Sequence, residues 1–212
     1  MFVIFNGAPN TGKDHASSYA KENFGFKHIS FKTQLYYDVQ EVFSLNKAEF
    51  ADFMLHYNDR NVKEKPIDYL DGKSRREAMI YSSEDVMKKR HGLGYYGEKI
   101  AEEMEQGYDY CASDGGFVEE VQAIVDRYIH GKVAIVQIFR RGCDHRNDSR
   151  RYIQGNVIKQ FGEPFDISDQ LWTEDKVDVD VYQIFNGSTA EDFDKSISNV
   201  ICWIKENERK HI

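Results

Sequence analysis

Proline is scarce, with three residues in a chain of 212, and no low-complexity tract or internal repeat interrupts it. Nothing therefore marks a linker, and the length fits one domain with insertions over residues 1–212. Cysteine is equally sparse. Cys111, Cys143 and Cys202 are widely spaced and form no CxxC pair. That argues against a disulfide framework or a zinc site and for reduced thiols in a cytoplasmic protein. No apolar run reaches the ~20 residues that cross a bilayer, and the N-terminus lacks the basic-then-apolar form of a signal peptide. No membrane partner is expected. Net positive charge is missing too: 28 Lys and Arg stand against 36 Asp and Glu. A general nucleic-acid binder shows a basic face, so nucleic acid is not an expected partner. Local basic clusters at Lys88-Lys89-Arg90, Arg140-Arg141 and Arg150-Arg151 suit a small anionic substrate better than a long polyanion. Each alone fits solvated surface charge equally well.

What the chain does have is apolar residues, 41% of the total, including 14 Phe and 13 Tyr. They fall into short continuous runs alternating with helical periodicity. Phe2-Val3-Ile4-Phe5, Phe26 to Phe31, Tyr108 to Ala112, Val133 to Phe139 and Val181 to Phe185 read as strands. Helices are expected from Lys13 to about Asn23, around Leu35–Phe43 and Lys47–Tyr57, from Ser74 to Arg90, through Tyr96, Ile100 and Met104, from Phe117 to about His130, and along Phe193, Ile197, Val200, Ile201 and Ile204. Asn58–Lys73 and Arg140–Gly155 are polar and loop-like. Strands alternating with helices imply an α/β fold with a parallel sheet covered on both faces. Ligands of such sheets sit at the carboxyl ends of the strands. The polar punctuations at Asn6–Lys13, Ser113–Gly116 and Arg140 onward all follow strands, so they should gather at one edge.

The first of them is a complete G-x-x-x-x-G-K pattern, from Gly7 to Lys13. Glycines let such a loop turn tightly, so that backbone N–H groups face phosphate oxygens, and the following helix presents its positive end to the same anion. Gly7, Asn10, Thr11, Gly12, Lys13 and Asp14 are the candidate nucleotide-binding residues, with Lys13 reaching the β- and γ-phosphates. Asp14 stands where a Ser or Thr usually ligates Mg2+; a carboxylate is a competent oxygen ligand. A plain turn capped by Asn10 or Thr11 is the bland alternative.

Asp114 ends a strand and precedes two glycines. It is a candidate for a magnesium-bound water, or else an N-cap for the next helix. Five arginines lie between Arg140 and Arg151. Arginines closing on a transferring phosphoryl group stabilise its charge and exclude water; Arg140 and Arg150 are the chosen candidates, against a solvated loop paired with Asp144 and Asp148. Arg75 and Arg76 open a helix and could grip an acceptor's phosphate or pair with nearby acids such as Glu77.

These residues resemble a known group. The Gly-Lys-Asp ending of the phosphate loop and Ser74-Arg75-Arg76-Glu77-Ala78-Met79 are similar to segments of bacteriophage deoxynucleoside monophosphate kinases. Tyr110 to Phe117 resembles the Asp-Gly-Phe turn after the third strand of adenylate kinases, and Arg140 to Tyr152 sits where those kinases carry an arginine-bearing lid. The resemblance implies a parallel sheet of about five strands with helices on both faces, an acceptor-binding insertion at about 32–73 and a lid at about 140–155. It implies transfer of the ATP γ-phosphate to a nucleoside monophosphate with Mg2+. Lys13 would bind the donor, Asp14 and Asp114 would serve the metal, and Arg75, Arg76 and Asp114 would serve the acceptor. Val118 and Glu119 replace the proline and arginine that follow the Phe in adenylate kinases, so that arginine's role must be filled elsewhere. A small-metabolite kinase of the same fold and a nucleotide-binding switch without turnover are the rival readings; no Asn-Lys-x-Asp guanine signature is present. Monomer and homodimer are both left open.

Overall fold

The structure is a computed structural model describing residues 1–59, 61–128, 131–146, 148, 150–187 and 189–208, the last by its backbone alone. Six strands form one sheet in the order β2-β3-β1-β4-β6-β5. They are β1 (Phe2–Asn6), β2 (Lys27–His28), β3 (Tyr110–Ala112), β4 (Val133–Phe139), β5 (Tyr152–Phe161) and β6 (Trp172–Phe185). Every strand pair runs parallel, with β1 in register between β3 and β4 from Phe2 onward.

The continuous apolar runs become central strands because both of their faces are covered. Side chains alternate across a strand. Phe2, Ile4, Ala112 and Ile135 therefore enter one core with Tyr96, Ile100, Val121 and Ile124. Val3, Phe5, Val136 and Ile138 enter the other with Ala16, Ala20, Ile197 and Ile201. The first core is roofed by α6 (Tyr95–Glu103) and α7 (Val118–Arg127), the second by α1 (Lys13–Phe24) and α8 (Ala190–Glu208). The fold is thus α/β, a parallel multi-stranded sheet with helices on both faces. Among the described residues no helix is long and apolar enough to cross a membrane.

A separate helical layer with its own core, around Val39, Phe53, Leu70 and Met79, is built from α2 (Phe31–Val42), α3 (Lys47–His56) and α4 (Arg75–Ile80). Asn46 with Glu49 and Ser74 with Glu77 form capping boxes that start α3 and α4. The helix expected from Ser74 to Arg90 is continuous but widens into a π-helical stretch, Tyr81–Met87, before α5 (Lys88–His91).

Three expectations need correction. The strand from Phe26 to Phe31 shrinks to two residues, because Ser30 caps α2 by accepting from Lys32 N and draws Phe31 into that helix. The sheet has six strands rather than five, because the polar segment 140–155 ends inside β5. That edge strand carries Gln154, Lys159 and Gln160 exposed, which hides it from an apolar-run reading. Val181–Phe185 is only the last part of β6. That strand curls: Phe139 touches the Trp172 ring at 5.9 Å and the Phe185 ring at 5.4 Å, so the two ends of β6 meet over one residue. The expected helix end at His130, and Ser188, lie outside the described residues.

Candidate functional site

Because the strands are parallel, the segments leaving β1, β3, β4 and β6 emerge at one edge. There the phosphate loop is a closed turn. Gly12 has φ +104°, a conformation that favours glycine, and an added Cβ would approach the Phe193 ring to 2.8 Å. Asn10 also has a positive φ, 65°. Thr11 is fully buried and draws the loop together, donating its hydroxyl to Ala8 O at 2.9 Å and its amide to the same oxygen at 3.3 Å. It acts within the loop and not as a helix cap; the N-cap is Gly12, with no side-chain bond.

Distant residues clamp the loop from outside. Asn186 Nδ2 donates to Thr11 O at 2.8 Å and Arg140 to Asn10 O at 3.3 Å. The Ala8 amide donates to the Tyr152 hydroxyl at 3.5 Å. Asn6, buried at the end of β1, joins the loop's root to β5 by accepting from Ile153 N at 3.0 Å and donating to Arg151 O at 3.1 Å. The first bond of α1 runs from Ala16 N to Gly12 O, so the amides of Lys13, Asp14 and His15 have no acceptor within the helix. Lys13 is 8% exposed, its Nζ folded back on Ala8 O at 3.2 Å. Burial lowers its pKa, and the charge of Arg150 lowers it further, while Asp14 and Asp148 oppose. Asp14 is exposed at the start of α1.

The turn after β3 emerges at the same edge as this loop. Asp114 does not cap α7, whose N-cap is Phe117 with no side-chain bond. Instead it caps α2 from the neighbouring strand, accepting from Ser30 Oγ at 2.5 Å, Phe31 N at 3.2 Å and Lys32 N at 3.2 Å. Gly116 supplies the flat surface on which the Arg150 side chain lies; an added Cβ would come within 2.9 Å of it. Asp148 grips Arg150 in two parallel bonds, Nε to Oδ1 at 3.0 Å and Nη2 to Oδ2 at 2.7 Å, the bidentate geometry that fixes a guanidinium. The bonds from Arg150 hold the Asp148 pKa down at about 2 against its burial. Arg150 Nη1 makes no hydrogen bond among the described residues, and the charges of Asp148, Asp114 and Asp14 all act on this guanidinium.

The other arginines divide. Arg146 pairs with Asp144 at 3.1 Å, Arg141 lies over the Phe165 ring at 5.0 Å, and Arg151 donates to backbone oxygens of residues 148 and 150. Arg75 is buried and committed to Asp52 at 2.5 Å and the Tyr69 hydroxyl at 3.3 Å. Arg76 is more than half exposed and meets Glu64 loosely at 3.8 Å. In the first basic cluster Arg90 and Lys89 pair on the surface with Glu41 and Asp85, while Lys88 is buried between Glu84 and Glu120.

The structure thus gathers the phosphate loop, Lys13, Asp14, Asp114 and Arg150 at one edge, sets Arg140 on the outer rim of the loop, and leaves Arg75 in the helical layer. The pairing with Asp144 and Asp148 that the sequence offered as the alternative is present, for Arg146 and Arg150, whereas no role was read in the sequence for Asn6, Tyr152, Asn186 and Gly116. Asn6 alone had a visible signal, a polar residue closing a buried apolar run. Among the described residues no group of three or more His, Cys, Asp or Glu side chains forms a metal cage. Mg2+ seldom needs one, since it binds through one or two carboxylates plus substrate phosphates. Asp14, exposed beside the loop, fits that role. Asp114 has its oxygens engaged by α2 and fits an orienting role. No model of a known protein family matches the chain, and no curated protein matches it.

Proposed function

We propose that the chain is a nucleoside monophosphate kinase, moving the γ-phosphate of ATP with Mg2+ to a monophosphate acceptor, a deoxynucleotide by the resemblance of its loop. The observation that carries this reading is the meeting of two distant parts of the chain. A helix-backed glycine loop ends in a buried Lys13, and the charge of a guanidinium that Asp148 and Gly116 hold in place, Arg150, acts on that lysine.

On this reading the unbonded amides at the start of α1 and Nζ of Lys13 hold the β- and γ-phosphates. Lys13 exchanges Ala8 O for phosphate oxygen. Asp14 would hold Mg2+, which would supply charge neutralisation at those oxygens. An acceptor phosphate oxygen attacks the γ-phosphorus, the bond from that phosphorus to the β,γ-bridging oxygen breaks, and ADP leaves with the electron pair. Arg150 faces the equatorial oxygens, where charge develops. Arg76 is the better acceptor ligand of the arginine pair, since the buried Arg75 is engaged by Asp52 and Tyr69.

The test is ADP release with ATP, Mg2+ and a panel of ribo- and deoxyribonucleoside monophosphates. Acceptor-dependent turnover is expected with at least one deoxynucleotide. Transfer to an unphosphorylated metabolite with every monophosphate refused would overturn the reading, as would slow hydrolysis indifferent to all acceptors.

A further inference from the structure

Two tyrosines of the helical layer have no role in what precedes. Tyr36 lies on α2, whose N-terminus Asp114 caps, and Tyr57 follows the end of α3. Their rings meet edge to face at 5.2 Å, and Tyr36 meets Phe53 in the same way at 6.3 Å. Both side chains are half-buried, yet neither hydroxyl has a hydrogen-bond partner among the described residues, and neither is sealed from solvent. A phenol held by its ring in a packed layer, with its oxygen unengaged at the surface, is an ordered donor. Burial raises the pKa of each, so both keep their protons at neutral pH.

The surroundings of these hydroxyls decide what they donate to. Arg76, Arg150, Asp114 and Glu64 act on Tyr57, and Tyr57 and Asp114 act on Tyr36. Of the acids, Asp114 is engaged by three donors from residues 30–32, and Glu64 stands 3.8 Å from Arg76. Of the cations, Arg76 is largely solvated and Arg150 has an unengaged Nη1. Asp148 is taken up by Arg150 Nε and Nη2, so the unengaged donors left here are the two hydroxyls, Arg150 Nη1 and the solvated Arg76, and an arriving anion with several acceptor oxygens would engage them.

We propose that Tyr57, seconded by Tyr36, is an acceptor-binding residue that donates its hydroxyl proton to the phosphate monoester held between Arg76 and Arg150. The identity of that monoester as a nucleotide rests on the kinase reading; the anion subsite does not. Arg150 would then lie between the donor and acceptor phosphates, and the Tyr36–Tyr57 ring pair would set the depth at which the acceptor sits.

The experiment pairs Tyr57→Phe and Tyr36→Phe with Tyr37→Phe, a control on the same helix whose side chain is 57% exposed. The KM for the best monophosphate is measured at saturating ATP, and calorimetry measures binding of that monophosphate, of inorganic phosphate and of ATP. Loss of one hydrogen bond to a charged group weakens binding roughly tenfold. Tyr57→Phe should raise the monophosphate KM and Kd by about that factor while ATP affinity holds, Tyr36→Phe should do so to a smaller extent, and Tyr37→Phe should do nothing. Unchanged monophosphate and phosphate affinities in Tyr57→Phe would overturn the inference and leave the kinase reading standing. If no monophosphate is a substrate, inorganic phosphate still decides: binding weakened by Tyr57→Phe supports the anion subsite, and no binding to the unaltered protein overturns it.

Discussion

The phosphate-loop side of the site and its arginine side are built from different materials. The loop side is backbone. Its unbonded groups are amides at the start of α1, and the side chains around it, Thr11, Asn186, Tyr152 and Asn6, serve to hold the main chain in one shape. The arginine side is made of side chains brought from three separate stretches: Asp114 after β3, Arg76 on α4, and Arg150 with Asp148 before β5. A backbone site needs a few residues at fixed spacing and so leaves a motif. A side-chain site assembled by tertiary contact leaves arginines whose roles differ although their neighbours in sequence are alike.

The largest effect should come from the loop side. Lys13→Ala removes the ammonium group that closes the loop. A lost donor to developing phosphate charge costs about 100- to 1,000-fold in kcat. The folded protein should be no less stable, because burial disfavours the charged lysine. Steady-state kinetics beside a thermal melt checks both, and an unchanged kcat would remove the phosphate loop from the mechanism.

Arg75 and Arg76 sharpen the comparison further. Arg75→Ala leaves Asp52 and Tyr69 without their buried cation, and losing charged hydrogen bonds of this kind costs roughly 2 kcal/mol of folding stability. Arg76→Ala should shift the denaturation midpoint hardly at all, because its pair with Glu64 is long and exposed. It should instead raise the KM for the monophosphate. Chemical denaturation and acceptor kinetics on the two variants separate them. A stability loss in Arg76→Ala equal to that in Arg75→Ala would erase the distinction.

Asp148 supplies a test of smaller size. Its carboxylate orients Arg150 through two bonds, so Asp148→Ala should lower kcat about tenfold while leaving ATP affinity near its original value. The pair should also feel acid late. The folded Asp148 pKa of about 2 lies below its ordinary value, so the stability it gives is complete above pH ~4 and is lost only as pH falls toward 2. A kcat indifferent to Asp148→Ala would mean that Gly116 and packing alone hold the arginine.

Much of the scaffold was legible in the sequence because its signals are local. Phe2–Phe5 and Val133–Phe139 are unbroken apolar runs, and Gly7 to Lys13 spells the loop, whereas Glu77, offered as a partner for Arg75 or Arg76, closes a capping box with Ser74 instead. What was not legible depends on partners far away. Ser30 looks like the end of a strand until Asp114, 84 residues on, closes the start of α2. β5 looks like loop because an edge strand exposes half its residues. Arg75 and Arg76 are indistinguishable until Asp52 and Tyr69 claim the first. The Asp148 clamp on Arg150 is only two residues long, but its use depends on Gly116, which lies in the turn after β3.

The smallest effect belongs to a buried acid beneath α7. Glu120, on the first turn of α7, is 4% exposed. Burial pushes its pKa up to about 7, with Glu84 and Asp114 adding to the rise and Lys88, 3.4 Å away, resisting it. An unfolded Glu titrates near ~4.3. Between those values the folded chain keeps a proton that the unfolded chain has released, so stability falls as pH rises from about 4.5 through 7 and levels off above. Glu120→Gln keeps the shape and removes the titration, while Lys88 retains Glu84 at 2.9 Å. The variant should gain on the parent as pH rises, melting about 2–4 °C higher at pH 8, the shift that roughly 1 kcal/mol produces in a chain of this size, with the gap closing toward pH 5. A variant that melts lower at pH 8 would mean that the ion pair with Lys88 outweighs the cost of burying its carboxylate, and that α7 is held to α5 by charge as well as by packing.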